Sequence, residues 1–540
     1  MSRLLTTLAV VSLAAAAPRA QEAPSIVIVN ARVFTGVAGA PWAEAVAITG
    51  NRITAVGATA EIRAMAAPST RVVDAAGRVV VPGFNDAHAH VGTGFATTQL
   101  EEPPAMVQDP SLAEIVERVR AAVAKAPAGQ WITGEIGAKV LDDPAATRLA
   151  LDPIAPDHPV LLSSWTGHGS LLNSAALRAL GVGDDAPDPP GGVYGRMPGT
   201  RVLSGIAHEY ADYGARRRLS VRASAASRVA AMRKYAASAA AFGITSTQIM
   251  TTSMTPAETA AVLAEAGGTL RARLIDFPMT PMADWTTPAS RTVRGAGLVT
   301  VSGTKWILDG TPIERLMFIR EPYSDRPGTR GAANFTAAQL TTFMSKALAA
   351  GEQPMIHAVG DAAIDMVLDA LEASGGEKWQ ALRPRIEHGD MLEPSHYARA
   401  RRFGVVIVQN PSHMMLAGDG VARLGERRAR IWLVKQSLDA GIPLALGSDG
   451  PMNPFLNVMF ATISAGNPSG ALTREEAVTA YTRGSAYAEQ MEHEKGVIAK
   501  GMLADLAMLS QDIFTIPSPD LPATVSVLTI VGGRIVHEAR

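Results

Sequence analysis

Two histidines separated by a single alanine, His88 and His90, are the first residues of this sequence whose types and spacing could do chemistry. They lie in the segment NDAHAH at 85–90, directly after the apolar run VVVPGF. Side chains two positions apart on a β-strand point to the same face, so both imidazoles would project together from an extended segment. Neutral imidazole is a common metal ligand. The pair indicates half of a metal site, although such a motif on its own is more often a pair of packed histidines.

Four further candidates lie at the ends of apolar runs elsewhere in the chain. Lys305 lies at the start of one run, His357 and His388 end two others, and Asp449 follows a fourth. In a parallel barrel the carboxyl ends of all strands meet at one rim, and active sites form there. Three imidazole-bearing strands and a carboxylate at one rim predict a metal centre.

The elements that must position these residues are strands that alternate with Ala-rich helical segments. The helical segments are long enough for right-handed crossovers between parallel strands. Eight strands with helices between them predict a (β/α)8 TIM-like barrel of the α/β class. The strands are expected at 78–84, 245–250, 273–277, 304–308, 354–357, 385–388, 405–409 and 443–446.

Two additions to the barrel, which is expected to span 81–494, follow from the rest of the sequence. The segments 25–80 and 495–540 share short strands and Gly-containing turns, so both ends of the chain are expected to pair into one small β-sandwich domain. An insertion follows the first barrel strand at 91–240. It has its own strand-like run at 160–165, which predicts a lid or subdomain.

The composition excludes several classes of protein. Apolar residues make up 47% and charged residues 18% of the 540 residues, which argues against global disorder. The 49 basic and 50 acidic residues give a net charge of -1, so the sequence has no electrostatic signature of nucleic-acid binding. There is no cysteine, which excludes disulfides, Cys–zinc sites and thiol nucleophiles.

The first residues, 1–20, have the pattern of a signal peptide. Arg3 precedes an apolar run at 4–17, and Pro18 and Gln21 follow it. No other stretch is long and apolar enough to cross a membrane, so we expect a periplasmic or secreted protein with no membrane segment after signal removal. The expected partner is a small-molecule substrate, and a homo-oligomeric state is left open.

The segments that carry these residues resemble the motifs of the amidohydrolase superfamily. Within it they are similar to amidohydrolase family 3, the subgroup related to N-substituted formamide deformylases. The resemblance covers nearly all of the chain after the signal segment. The matching segments are VPGFNDAHAH at 81–90, GHG at 167–169, LNSAAL at 172–177, GGVYGR at 191–196, TKWILDG at 304–310, IHAVGD at 356–361, IEHGD at 386–390, GSDGP at 447–451 and GVIAKGMLADL at 496–506.

This resemblance implies a centre with two divalent metals. His88, His90 and Asp449 would bind the more buried metal, and His357 and His388 would bind the second. Zinc is the default metal for imidazole and carboxylate ligands, with manganese, iron or cobalt as the other candidates.

The same resemblance gives Lys305 an unusual role. An ammonium repels a cation, so in related enzymes the lysine reacts with carbon dioxide, and the resulting carbamate bridges both metals. Burial lowers the pKa of a lysine and makes the neutral amine available for this reaction. The alternative is an ordinary barrel lysine that is paired with a carboxylate, beside a single metal.

The expected mechanism is hydrolysis of an amide or another C–N bond by metal-activated water. Asp449 would take the proton of the water and deliver it to the leaving nitrogen. His168 would donate to the developing oxyanion or orient the substrate, with a structural role as the alternative. Trp165 and Tyr194 are expected in the wall of the pocket. The remaining histidines match no ligand motif, and His413 is the exception that is expected near the same rim.

Three other functions remain possible on the sequence alone. A deaminase or a hydrolase of cyclic amides or lactones would use one metal on the same fold. A non-catalytic scaffold is disfavoured because every expected ligand type is present. A serine hydrolase is disfavoured because the segments around Ser448 and Thr304 lack the G-x-S-x-G motif.

Overall fold

The computed structural model describes residues 23–101, 109–279, 298–464 and 467–539. The expected signal peptide at 1–20 lies outside these ranges. Among the described residues, no helix is both long enough and apolar enough to span a membrane. The chain within these ranges forms four β-sheets, and the largest of them carries the candidate site.

That sheet is a barrel of eight parallel strands, which confirms the predicted (β/α)8 architecture. The strands are β1 (Phe84–Ala89), β2 (Ile244–Met250), β3 (Arg271–Asp276), β4 (Val299–Ile307), β5 (Pro354–Ala358), β6 (Arg385–His388), β7 (Val406–Gln409) and β8 (Leu444–Leu446). Each strand pairs with the next one along the chain. Just beyond β8, a parallel bridge between Ala89 and Asp449 joins the last strand to the first.

Helices cover the outside of the barrel. Several of them begin with a capping box, as where Thr255 pairs with Glu258 and Thr336 pairs with Gln339. These side chains satisfy N–H groups that a first helical turn leaves free. In chain order, the helices of the barrel are Ala225–Ala241, Pro256–Ala266, Ala337–Ala349, Asp361–Ser374, Pro394–Phe403, Ala417–Leu424, Val434–Asp439, Pro454–Ile463, Arg474–Thr479 and Ser485–Ala488.

The first barrel strand differs from the expectation. The apolar run expected as one strand at 78–84 is divided in two, because Val79–Pro82 pairs with strands outside the barrel. β1 begins after Gly83, which lies so close to β2 that a Cβ there would be 2.2 Å from Thr245 Oγ1. Glycine is therefore required at the point where the chain passes from one sheet to the next.

The fourth barrel strand is longer than expected. It begins at Val299, whereas the sequence placed its start at 304. Lys305 therefore lies near the carboxyl end of β4 and not at its start, which moves its side chain toward the rim that carries the histidines.

The insertion after β1 forms a subdomain with its own six-stranded sheet, as the strand-like run at 160–165 predicted. Its core contains Ile115 and Val119 from one helix, packed with Ile132 and Leu162 of the sheet. The strands, in sheet order, are Gly192–Arg196, Leu203–Glu209, Gly169–Leu172, Val160–Ser164, Ile132–Ile136 and Thr98–Gln99. The helices are Leu112–Lys125, Ala138–Asp142, Arg148–Leu151, Ser174–Ala179 and Tyr210–Ser220.

Both ends of the described chain meet in two further sheets, in agreement with the expected β-sandwich. One shared core contains Ile28 and Val46 from the first sheet with Val80, Leu506 and Ile530 from the second. The first sheet is ordered Arg52–Gly57, Ala45–Thr49, Ile26–Val29 and Arg71–Asp74, and the second is ordered Arg534–Glu538, Ser526–Val531, Leu506–Leu509, Val79–Pro82, Arg32–Phe34 and Trp42–Ala43. A short helix, Thr59–Ala64, packs against the first sheet.

Candidate active site

The barrel brings all six predicted metal-site residues to the carboxyl rim of its strands. They are His88 on β1, His90 just after it, Lys305 on β4, His357 on β5, His388 at the end of β6 and Asp449 just after β8. The tightest group consists of His88, His388 and Asp449, whose potential ligand atoms all lie within 4.8 Å of one another. His90 adjoins this group, with Nε2 3.3 Å from Asp449 Oδ1.

The four imidazoles form one continuous cluster and not two separate pairs. The ring centroids of His88 and His90 lie 5.3 Å apart, and those of His357 and His388 lie 4.5 Å apart. His388 is also 5.0 Å from His88, so it is central to the cluster. The sequence grouped His388 with His357 alone, whereas the geometry also places it beside His88 and Asp449.

Two residues of the cluster have an unusual backbone. His388 has φ 68° and Asp449 has φ 52°, and both are non-glycine residues in the left-handed region. Such conformations cost about 1–3 kcal/mol and persist where the surrounding structure imposes them. The surroundings do so here, because Asp449 N donates to His88 O (2.8 Å) and the Gln409 amide donates to His388 O.

A buried carboxylate joins β1 to the loop that carries Asp449. Asp86 accepts hydrogen bonds from the backbone N–H (2.8 Å) and the hydroxyl of Ser448. Burial raises the pKa of Asp86 to about 6, in spite of these hydrogen bonds. Gly447 is needed beside it, since a Cβ there would be 2.5 Å from His88 N. These contacts fix the position of Asp449 relative to His88.

The charge states of the histidines suit metal binding. Burial lowers the pKa of His90 to about 3 and the pKa values of His357 and His388 well below the ordinary value. These rings are therefore neutral near pH 7, which is the form that binds metals. His357 Nε2 and His388 Nδ1 are buried and have no hydrogen-bond partner in the described part of the chain. Buried polar atoms without a partner are costly, and a metal ion would satisfy them.

Lys305 is fully buried beside the cluster. Burial lowers its pKa to about 8, and the negative charges of Glu387 and Asp449 oppose this change. A substantial fraction of the side chain is then a neutral amine near pH 7 or 8, which is the form that can react with carbon dioxide.

A hydrogen-bonded chain behind His88 was missed by the sequence analysis. His88 Nδ1 donates to Glu387 Oε2 (2.7 Å), and Arg385 holds both oxygens of Glu387. Burial alone would raise the pKa of Glu387, but Arg385 and His88 hold it well below the usual range. The signal in the sequence was the alternation of charged and apolar residues in RIEH, which places Arg385 and Glu387 on one face of a buried strand.

A second missed residue is Asp309, which follows β4. Its carboxylate accepts from the backbone N–H groups of Phe318 (2.9 Å), Val359 (3.0 Å) and Gly360 (3.0 Å). Burial raises its pKa to about 7. It orders the loops after β4 and β5 and lies 3.8 Å from His357 Nε2.

The inserted subdomain brings His168 into the site. Its ring centroid lies 4.5 Å from that of His357, and Nδ1 faces both oxygens of Glu209 at 3.1 and 3.2 Å. Burial would lower the pKa of His168, but the Glu209 carboxylate raises it above the ordinary value. The hydroxyl of Tyr213 lies 3.4 Å from Nε2. His168 is therefore oriented on one side and faces the cluster on the other.

His413 also reaches the site. Its Nε2 lies 3.4 Å from Asp449 Oδ2, the oxygen opposite the one that faces His90. Burial alone would raise the pKa of Asp449, but His88, His413 and His90 hold it well below the usual range. Each oxygen of the Asp449 carboxylate therefore faces a histidine.

A cavity of about 980 Å³ opens over these residues. Trp165 and His168 line it, as predicted. Tyr194 does not belong to the described residues that line the cavity, so its predicted place in the pocket wall is wrong. It lies on the outer strand Gly192–Arg196 of the subdomain, where it packs against the core of the subdomain. The apolar part of the wall contains Trp165, Pro312, Ile313, Met317, Met415, Leu416, Ile431 and Trp432.

Comparison with known proteins agrees with this architecture. The profile of the amidohydrolase family matches residues 71–537. LONG AFTER FAR-RED 3 of Arabidopsis thaliana is 29% identical over 96% of this chain and 93% of that protein. N-substituted formamide deformylase of Arthrobacter pascens is 28% identical over 95% of this chain and 98% of that protein. The crystal structure of an uncharacterized metal-dependent hydrolase from Pyrococcus horikoshii OT3 has a TM-score of 0.70 and 21% identity, covering 92% of this chain and 99% of that one, and supports the fold.

A parallel barrel with histidines and a carboxylate at its carboxyl rim has the fold of the metal-dependent hydrolase just compared and the ligand types that a divalent metal takes. The chain belongs to the amidohydrolase family, because the family profile covers most of its length. The resemblance inferred from the motifs is confirmed, and the side chains at the rim are of the types that bind a divalent metal.

Proposed function

We propose that this protein hydrolyses the C–N bond of a small amide, such as an N-acyl or N-formyl amine with an apolar substituent. The observation that carries the proposal is the convergence of three buried imidazoles, a partly exposed fourth and a carboxylate at the base of one cavity. A bound divalent metal would lower the pKa of water and polarise the scissile carbonyl.

The residues that would hold the metal are those of the cluster. We propose two zinc ions, with His88, His90 and Asp449 at one position and His357 and His388 at the other. Imidazole and carboxylate are ligands that zinc prefers. The partnerless buried nitrogens of His357 and His388 support this assignment.

Lys305 is proposed to carry a carbamate that bridges the two positions. Its neutral amine would attack carbon dioxide, form the N–C bond and release one proton. The product has a negative charge, which suits a buried position that faces two cations. The lowered pKa of Lys305 and its place at the carboxyl end of β4 support this step.

The proton steps are assigned to Asp449 and His168. Asp449 takes the proton from the attacking water and delivers it to the leaving nitrogen, as general base and then general acid. His168 donates from Nε2 to the oxygen that becomes negative in the tetrahedral intermediate. Glu209 accepts a hydrogen bond from Nδ1 on the opposite edge of the ring and favours the protonated imidazolium, the form in which Nε2 also carries a proton.

The substrate class is inferred from the cavity wall and from one relative. Trp165, Ile431, Trp432 and Met415 offer an apolar, partly aromatic surface beside the cluster. A relative that aligns over 95% of this chain is an N-substituted formamide deformylase. An N-formyl or N-acyl amine with an aromatic or branched substituent fits both observations.

The test is a substrate panel assayed with metal-loaded and chelator-treated protein, together with metal analysis. The panel contains N-formyl amines, N-acyl amino acids, aryl amides and lactones. We expect hydrolysis of an amide by the loaded protein, loss of activity on metal removal and recovery on addition of zinc. Full activity in metal-free protein would overturn the proposal.

A second candidate is a deaminase or cyclic-amide or lactone hydrolase with a single metal. The compact group of His88, His388 and Asp449 favours it, because three ligands suffice for a catalytic site with one metal. The number of metals per chain, together with incorporation of labelled bicarbonate at Lys305, separates the two candidates. One metal and no label would support the second.

We further propose that the protein is exported to the periplasm or secreted. The support is the sequence of residues 1–20, in which an apolar run follows Arg3. Expression of the full chain in a bacterial host, followed by fractionation and sequencing of the new N-terminus, tests this. A full-length chain that stays in the cytoplasm would contradict export.

A further inference from the structure

We propose that Glu387 is a positioning residue that fixes the ring of His88 for metal binding, and that Arg385 in turn fixes Glu387. The inference rests on the proposed metal site, and it adds a function for two barrel residues that are not ligands themselves.

The geometry of His88 carries the inference. Nδ1 lies 2.7 Å from Glu387 Oε2, at hydrogen-bond distance, whereas Nε2 is 3.9 Å from Asp449 Oδ1, on the side of the cluster. Both His88 and Glu387 are at most 1% exposed, so water cannot replace either partner. The two edges of the ring therefore face two different environments.

The chemistry of imidazole turns this geometry into a function. A neutral ring has one N–H donor and one acceptor nitrogen, and the hydrogen bond at one nitrogen decides which is which. A carboxylate only accepts, so Nδ1 must carry the proton and Nε2 presents its lone pair to the cluster. A carboxylate behind a ligating histidine also makes the ring a stronger base.

Glu387 is itself held with little freedom. Arg385 donates to its two oxygens from Nε (2.7 Å) and Nη2 (2.9 Å). The remaining donors of Arg385 reach Gln248 Oε1 (2.5 Å) and Ala87 O (2.7 Å). Ala87 adjoins His88 on β1, so the guanidinium joins the backbone of β1 to the carboxylate that orients its histidine.

A second arginine–carboxylate pair, Arg271 and Asp505, is a useful comparison for Arg385 and Glu387. Arg271 donates to both oxygens of Asp505, at 2.6 and 3.2 Å, at the amino end of β3, and neither residue is among the described residues that line the cavity. That carboxylate accepts from the backbone N–H of Gly532 (2.7 Å) and has no hydrogen bond to a histidine in the described part of the chain. If Glu387 served only to neutralise a buried arginine, the two pairs would be equivalent.

The experiment compares Glu387→Gln with Asp505→Asn in the full chain. Each variant keeps the shape of the side chain and removes one carboxylate beside an arginine. Zinc affinity is measured by competition with a chromophoric chelator, and folding is checked by circular dichroism and thermal unfolding. We expect the zinc Kd of Glu387→Gln to rise roughly 10–100-fold. Asp505→Asn should bind zinc as the wild type does.

A third variant separates orientation of His88 from a general disturbance of the barrel. In the background of His88→Ala, Glu387→Gln should cause no further loss of zinc affinity, because the ring that it orients is absent. An equal additional loss in that background, or wild-type affinity in Glu387→Gln itself, would overturn the inference. A wild-type chain that binds no metal would instead overturn the proposed function.

Discussion

The barrel and the inserted subdomain meet at the same cavity, but they bring different side chains to it. The barrel contributes ionisable groups that are buried at strand ends and held by neighbouring strands, such as His88 and Asp449. The subdomain contributes His168 and Trp165, whereas the other apolar wall residues named above lie in barrel loops after β4 and β7. The difference indicates that the barrel holds the cluster and most of the wall, and that the subdomain completes the cavity with one histidine and one aromatic side chain.

The largest effect is expected from removing the barrel's carboxylate. Asp449→Asn keeps the shape of the side chain but abolishes its ability to accept a proton, so kcat should fall roughly 10²–10⁴-fold. Steady-state kinetics on the best amide of the panel measures this, with Asp505→Asn as the control for a buried aspartate outside the site. Activity within a few-fold of the wild type would remove Asp449 from the mechanism.

A smaller loss is expected in the subdomain when His168 is changed. His168→Ala removes the proposed donor to the oxyanion, and kcat should fall roughly 10²–10³-fold with little change in KM and in metal content. His158→Ala is the matched control, because His158 lies in the same subdomain, faces the backbone oxygen of Gln130 and is not among the described residues that line the cavity. Equal losses in the two variants would mean that His168 has only a structural role.

Substrate selection should respond to the apolar wall. Trp165→Ala should lower kcat/KM for aromatic substrates about 10-fold relative to small aliphatic ones, since a lost apolar contact in a pocket changes selectivity by about 1–3 kcal/mol. Tyr194→Ala removes an aromatic ring of the same subdomain outside the cavity and should leave this ratio unchanged. A ratio that is unchanged in Trp165→Ala would place substrate selection elsewhere.

The smallest effect concerns the attachment of the subdomain to the barrel. Asp142, at the end of a subdomain helix, accepts from Arg423 (2.9 Å), in the helix Ala417–Leu424 after β7, and from Arg315 (3.1 Å), in the loop after β4. Burial alone would raise the pKa of Asp142, but these arginines hold it below the usual value. A lowered pKa stabilises the fold above the ordinary aspartate pKa, and this contribution disappears as the pH falls through the folded value.

Asp142→Asn should therefore reduce the free energy of unfolding by about 1 kcal/mol at pH 7, since the carboxylate is partly exposed and solvent screens the pair. Urea titrations at pH 7 and at about pH 3 would measure the difference in free energy of unfolding between this variant and the wild type. The difference should be smaller at the lower pH. Asp143→Asn is the control, because that carboxylate only bonds the nearby Ala145 N. If the difference in free energy of unfolding were larger at the lower pH, the proposed interaction of the Asp142 carboxylate with the two arginines would be wrong.

The sequence predicted the parts of the molecule that depend on local pattern. Apolar strands that alternate with helices predicted the barrel, and residue types at strand ends predicted which side chains meet at the rim. The pattern could not predict the break at Gly83, because the apolar run continues across it from Val79 to Phe84 and only the pairing partners change there. It also could not predict that His388 lies beside His88, since this depends on how the strands close into a barrel.

The same reason explains two of the errors in assigning polar residues. Glu387 was not assigned a function because its partner, His88, is distant in sequence and adjacent only across the barrel. Tyr194 was placed in the pocket from its motif alone, but the register of the strand Gly192–Arg196 packs its half-buried side chain against the core of the subdomain. Motifs identify which residues can react, and the sheet registers decide which of them meet.

The bridge between Asp449 and β1 has a consequence for the order in which the protein matures. The hydrogen bonds between Asp86 and Ser448 join positions that are 362 residues apart. A nascent chain that lacks its last barrel strand holds His88 but has no Asp449 beside it, and contacts of such long range form late because the intervening loop must close first. Binding of the proposed metal by His88 together with Asp449 would therefore follow synthesis of nearly the whole chain.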